Sequence, residues 1–283
     1  MQGIVIIDKS IGITSANIVA KLKRIYNIPC GHFGTLDPMA SGVLVVGVGK
    51  GSRLFDYMQG GTKTYEAVFE FGYLTDTLDA TGKVSDRTGV IPTIEQIKAI
   101  LPSLTGTVNQ IPPVYSAKSI GGVRAYKLAR KGQAVEPPPK QVTIYKFDLL
   151  GQISLTEFSF LIECSSGTYI RSIARDMAVR LNSLGIMTAL RRTVSGQFGL
   201  DIAHDIDEIT KDPQKYLIQC ESTIELPVYV APAESYQKIK NGVKIAFDGI
   251  PKGYFKLYCD NVFFGIASGD RGYVKIVTNL CEK

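Results

Sequence analysis

Apolar positions along the first two hundred residues follow two periods. GIVIID (3–8) is a short continuous run rich in β-branched residues and predicts a buried strand. From Ser15 the pattern turns helical: Ile18, Val19, Leu22 and Ile25 share one stripe, with Lys21, Lys23 and Arg24 mostly off it. VLVVGVG (43–49) predicts a second buried strand, and TYEAVFEFG (64–72) alternates as a third. TIEQIKAILPSL (93–104) reads as a helix that Pro102 should end near its last turn. QVTIYKFDLLG (141–151) and TEFSFLIECSSG (156–167) alternate and predict paired strands. The clearest helix is 168–184, with Ile170, Ile173, Ala174, Met177, Ala178 and Leu181 on one stripe. ALRRTVSGQF (189–198) is strand-like. Strands and helices mix without strict βαβ alternation, so the fold class is α+β rather than a doubly wound sheet.

Two stretches break this rhythm. Residues 111–140 are loop-rich and basic, with Lys118, Arg124, Lys127, Arg130, Lys131 and Lys140 interleaved with Tyr115 and Tyr126. After about residue 224 the chain becomes turn-rich and strand-rich, which predicts two domains, 1–224 and a small β-barrel-like 225–283.

Composition narrows the function. Of 283 residues, 45% are hydrophobic and 20% charged, as in an ordinary globular protein. No apolar run approaches the roughly 20 residues of a spanning helix, and the N-terminus lacks a signal-peptide pattern. A cytoplasmic protein with no membrane partner is expected. The net charge of +6 suits a polyanionic partner without requiring one. The five cysteines are widely spread and form no C-x-x-C pair. Cys30 and His32 lie close together, but two ligands do not complete a tetrahedral metal site. VVGVGKGS (45–52) invites a phosphate-loop reading and fails it, because Lys50 is followed by Gly51 and no glycine stands five residues before Gly49. The dinucleotide fingerprint fails too, since its third glycine position falls on Ser52. No metal and no cofactor are therefore expected.

The unusual stretch is GHFGTLDPMASGVL (31–44), which sets one carboxylate, Asp37, before a proline and between glycine-bearing turns. It stands in order with IIDKSIGITS (6–15), KTYEAVFEFGYLTDTLDATG (63–82) and CSSGTYIRSIARDM (164–177), with ALRRTVSGQF behind. Together these blocks resemble the bacterial tRNA pseudouridine synthase B family over roughly residues 1–200. The resemblance implies a mixed-sheet pseudouridine synthase catalytic domain with flanking helices, followed by a small β-rich, PUA-like RNA-binding domain. It implies conversion of the T-loop uridine, position 55 of tRNA, to pseudouridine, after the base is flipped out.

That chemistry breaks C1′–N1, turns the base and joins C5 to C1′, so it needs no redox change, metal or nucleotide. A single carboxylate suffices if it is held still. Pro38 biases Asp37 toward extended backbone. An Asx turn before proline would be the ordinary explanation of Asp-Pro alone. The resemblance implies that Asp37 is the catalytic carboxylate and Arg171 its bidentate cationic partner. Asp79 would join this ion network or else be a turn aspartate. Tyr65 would stack on the base, with Tyr169 and Leu190 as further pocket positions. His32 would fill the space left by flipped bases, and Lys9 would stand beside the site. The segment 118–140 would be an insertion gripping the T-arm stem-loop through phosphates. Two other readings stand beside this one: an RNA-binding and refolding module with catalysis secondary, and an RNA-guided catalytic subunit like those of archaea and eukaryotes. The chain begins at its first strand, which favours a stand-alone form, expected to be a monomer.

Overall fold

A computed structural model describes residues 2–116, 119–120, 122–124, 135–246, 249–270 and 272–281. Its strands are β1 (Gly3–Lys9), β2 (Cys30–His32), β3 (Ser41–Val48), β4 (Lys63–Phe71), β5 (Tyr73–Thr75), β6 (Val84–Arg87), β7 (Gly106–Gln110), β8 (Ser119–Ile120), β9 (Val123–Arg124), β10 (Lys140–Gln152), β11 (Glu157–Cys164), β12 (Gly185–Ser195), β13 (Phe198–Gly199), β14 (Val228–Ala231), β15 (Ile245–Ala246), β16 (Gly253–Cys259), β17 (Val262–Asp270) and β18 (Tyr273–Asn279). Nine of them form one sheet in the order β1-β3-β12-β4-β11-β10-β7, with β2 beside β3 and β13 beside β12. Its pairs are antiparallel except β3–β12, which is parallel.

The unbroken apolar runs of β1 and β3 follow from burial on both faces. Val5, Ile7, Leu44, Val46 and Val48 pack on one side with helix Ser15–Tyr26, in a core that continues under Ile170–Arg180 against β12 and β4 and under Ile94–Leu104 against β10. Ile4, Ile6, Val43 and Val45 pack on the other, where Phe263, Ile266 and Leu280 of the C-terminal part meet them. That part holds a second sheet, β14-β16-β17-β18-β15. The Arg53 guanidinium donates to Asn279 O at 3.0 Å, and Tyr57 meets Tyr254 edge-on at 6.1 Å.

The helices start where their caps direct. The Thr14 hydroxyl accepts from Asn17 N, and Thr93 and Gln96 form a reciprocal capping box. Pro102 lies inside the last turn of its helix, which runs to Leu104, and Thr105 N donates to Pro102 O. The expected 168–184 helix is shorter, Ile170–Arg180, because Asn182 turns left-handed (φ 52°) and β12 begins at Gly185.

The sheet's middle makes the site. β3 offers one edge to β1 from Gly42 to Val48. Its other edge is divided: Ser41 and Gly42 pair with Arg191 and Arg192 of β12, and Val46–Val48 pair with β2. The loop 33–40 emerges at this division. Gly42 has φ 102°, and a Cβ there would collide with the Arg192 backbone. Only glycine meets both demands.

Candidate active site

Asp37 is held by its neighbours. The buried Ser15 hydroxyl donates to Leu36 O at 3.0 Å and accepts from Leu36 N at 2.9 Å. On the other side Gly12 N donates to Pro38 O at 2.8 Å. Lys9, wholly buried, donates to Ile13 O at 2.8 Å, Ser10 O at 3.0 Å and Pro38 O at 3.5 Å. Desolvation lowers the Lys9 ammonium to about 8, with Asp37 opposing the shift and Arg192 adding to it.

Asp37 lies at a cleft and meets Arg171 Nε at 2.9 Å. Arg171 projects from the first turn of the Ile170–Arg180 helix and is buried. The expected bidentate grip on Asp37 is not formed, because the guanidinium fork is divided. Nη1 meets Asp79 Oδ2 at 3.5 Å and donates to Thr77 O at 2.9 Å, while Nη2 donates to Tyr115 O at 3.1 Å. Asp79 serves both roles that its sequence left open. Its Oδ1 accepts from Thr77 Oγ1 at 2.7 Å and from Thr81 N at 3.0 Å, which closes the turn, and its Oδ2 faces Arg171. The same turn holds Leu78 at φ 62°, an uncommon conformation for a bulky residue.

The cleft has a volume of about 210 Å3 and brings together Asp37, Arg171, Tyr65, Tyr169 and Leu190. Tyr65 and Leu190 come from adjacent strands, β4 and β12. Burial pushes the Tyr65 phenol up, and the positive charge of Arg192 opposes the shift. Tyr169 precedes the Ile170–Arg180 helix, and its backbone is clamped by the buried Gln110 amide, at 2.8 Å through N–H and 3.0 Å through O. Burial raises its phenol too.

Other expected site residues lie elsewhere. Lys9 and Asp79 do not line the cleft; they support it from behind. His32 is half-buried on β2, outside the cleft lining, with Nδ1 buried and without a partner among the described residues; burial lowers its pKa, and Arg192 adds to this. Lys140 is exposed at the start of β10, where a Cβ on Gly167 would meet its ammonium at the cleft edge. Arg124 lies on β9, in a two-stranded hairpin with β8. Lys118, Lys127, Arg130 and Lys131 fall outside the described residues.

Two cleft residues escaped the sequence reading. Arg192 is 2% exposed and donates to Val43 O at 2.7 Å and Gly34 O at 3.1 Å. Lys63 is 3% exposed and donates to Gly61 O at 3.1 Å. The signal was strand alternation. Lys63 stands two residues before Tyr65, so both face one way. Arg191 and Arg192 are consecutive, so one had to turn inward; Arg191 turns away to Asp8, at 2.7 and 3.1 Å.

The fold is shared with solved structures. A Cbf5-Nop10-Gar1 complex aligns over 99% of this chain and 84% of its own with a TM-score of 0.69 at 23% identity. An H/ACA RNP bound to a substrate RNA containing 2′-deoxyuridine aligns over 94% of this chain and 78% of its own with a TM-score of 0.68 at 21% identity. Residues 23–170 match the family model described as TruB family pseudouridylate synthase (N terminal domain). The class is therefore that of the pseudouridine synthases. The chain resembles the tRNA pseudouridine synthase B of Mycobacterium sp. (strain KMS), at 44% identity over 217 residues, 75% of this chain and 73% of the relative. It resembles that of Francisella philomiragia at 36% identity over 281 residues, 96% and 92%. The chain belongs to the TruB family of pseudouridylate synthases.

Proposed function

We propose that this chain isomerises a uridine of the tRNA T loop, position 55, to pseudouridine, with Asp37 as the catalytic carboxylate. The observation that carries this is the Asp37–Arg171 contact of 2.9 Å at a cleft walled by Tyr65, Tyr169 and Leu190. The carboxylate is one-third exposed, so it meets an incoming ribose, while its partner is 6% exposed and keeps it aimed. A flipped uracil stacks on Tyr65, with Leu190 as apolar wall. Whether Asp37 attacks C1′ or takes the C2′ proton, it needs the fixed backbone that Ser15, Gly12 and Lys9 supply. Lys9 and Asp79 are positioning residues in this reading, and His32 fills the RNA loop beside the cleft. The segment 118–140 and the domain 225–283, read as PUA-like, supply the phosphate-binding surface, and the protein acts as a monomer. The named relatives are tRNA pseudouridine synthases, which supports tRNA as the substrate.

The test is Asp37→Asn with a T-arm stem-loop. Pseudouridine formation is expected to vanish, while RNA affinity stays within about tenfold, on the order of 1.4 kcal/mol. Normal turnover by the variant refutes the assignment. Loss of binding along with turnover would instead make Asp37 a folding or docking residue.

A further inference from the structure

Lys63 and Arg192 form a second charged wall of the cleft, opposite in kind to the Asp37–Arg171 pair. Arg192 is the direct cross-strand partner of Tyr65, and Lys63 shares Tyr65's face of β4. Both line the cleft and both are almost wholly buried. Among the described residues neither has a carboxylate within ion-pair distance. Lys63 Nζ has a single hydrogen-bond acceptor among them, Gly61 O at 3.1 Å, for an ammonium with three donors. Around the cleft stand four cations, Lys9, Lys63, Arg171 and Arg192, against the carboxylates Asp37 and Asp79, both of which Arg171 holds. An uncompensated buried charge is costly. Such an arrangement is useful where negative charge arrives during a reaction.

The proposed function supplies that charge, and this inference rests on it. Breaking C1′–N1 sends the bonding pair out with N1, and the charge spreads over N1 and the O2 and O4 oxygens of the uracil. Its origin is Asp37. If the carboxylate bonds to C1′, it becomes a neutral ester as the base becomes an anion. If the carboxylate instead takes the C2′ proton, it becomes a neutral acid as C1′=C2′ forms and the base again leaves as an anion. Either way one negative charge moves from the Arg171 end of the cleft to the base. C5 then joins C1′ as the Asp37 ester bond breaks, or as C2′ takes its proton back from Asp37, which restores the carboxylate either way; losing the C5 proton and protonating N1 completes the isomerisation with no co-reactant. We propose that Lys63 is a catalytic residue that binds the detached uracil anion, beside Tyr65 and its cross-strand partner Arg192. RNA phosphates carry their charge before the reaction and are met at the rim, where Lys140 stands exposed.

The experiment compares Lys63→Met and Lys63→Arg with the unaltered protein on two stem-loops, one with uridine and one with 5-fluorouridine at the target. Loss of the N1-linked nucleoside is followed in single turnover at saturating RNA. Fluorine at C5 stabilises the departing anion, so it lessens the need for an ammonium. Lys63→Met is expected to slow uridine about 10²-fold and 5-fluorouridine far less, with Lys63→Arg recovering most of the rate and RNA affinity little changed. Equal slowing of both substrates would show a packing role and overturns the inference. Weakened RNA binding with an unchanged saturating rate would show a phosphate contact and overturns it too. The function reading fails separately, if the unaltered protein leaves the T-arm uridine untouched.

Discussion

Removing Arg171 should separate the two tasks its guanidinium performs. It meets Asp37 at 2.9 Å and Asp79 at 3.5 Å, and it donates to the carbonyls of Thr77 and Tyr115 at 2.9 and 3.1 Å. Arg171→Met leaves Asp79, 5% exposed, without its counter-ion and both carbonyls without this donor. Breaking a buried ion pair from one side costs about 3–5 kcal/mol. Asp37 is one-third exposed and recovers solvation, so the lower end, about 3 kcal/mol, is expected. At about 2–4 °C per kcal/mol for a chain of this order, Tm should fall by roughly 6–12 °C. Catalysis should fall further, by about 10²-fold or more at saturating RNA, because a carboxylate released by an ångström no longer meets the ribose in line.

Arg171→Lys sharpens the test. One ammonium restores charge but cannot span Asp37, Asp79, Thr77 O and Tyr115 O together. Stability should partly return and the single-turnover rate should not. The measurements are thermal melting and pseudouridine formation with a T-arm stem-loop. An unchanged Tm in Arg171→Met, or a full rate in Arg171→Lys, refutes the divided-fork argument.

Three further outcomes follow from other parts of the fold. Gly42→Ala should add about 1–3 kcal/mol of backbone strain and a collision with the Arg192 backbone, and so lower the denaturant midpoint and the rate together. Lys63 is lowered by burial from 10.5 to about 8; the unfolded chain binds the extra proton between these values, so the destabilisation is full below pH 8 and shrinks as pH rises. The stability advantage of Lys63→Met should therefore narrow by about 2 kcal/mol between pH 8 and 9.5, and a constant difference in urea unfolding would contradict the burial argument. Neutralising Lys127, Arg130 and Lys131 together should flatten the salt dependence of tRNA binding by roughly 0.7 to 0.9 log units per contact, whereas Tyr65→Leu should slow the chemical step and leave that slope alone.

The sheet was legible because its strands obey simple periods. β4 alternates, and β1 and β3 carry unbroken apolar runs, 3–7 and 42–48, because both faces are covered. What periodicity could not give was order. Strand β12, late in the chain, is inserted between β3 and β4, and its parallel pairing with β3 spans only Arg191 and Arg192. No local pattern encodes a contact between residues 42 and 192. Yet that contact explains a glycine in the most distinctive motif of the chain, so the motif was visible before its reason was.

The site was legible to the same depth. Asp37, Arg171, Tyr65, Tyr169 and Leu190 could be named from the blocks that carry the resemblance, and the fold brings them to one cleft. Lys63 and Arg192 were not named, although KTY and LRR spell them out beside Tyr65 and Leu190. A lysine or arginine in a strand is read as solvent-facing, because burying it without an acid is costly. That expectation holds for a fold at rest. It fails where the counter-charge is made by the reaction, since the cost is met when the substrate rearranges rather than when the chain folds. In the proposed reaction Asp37 begins with the negative charge beside Arg171, and the base ends with it beside Lys63. A site that moves one charge across its cleft needs a cation at each end, and folding alone can satisfy only the first.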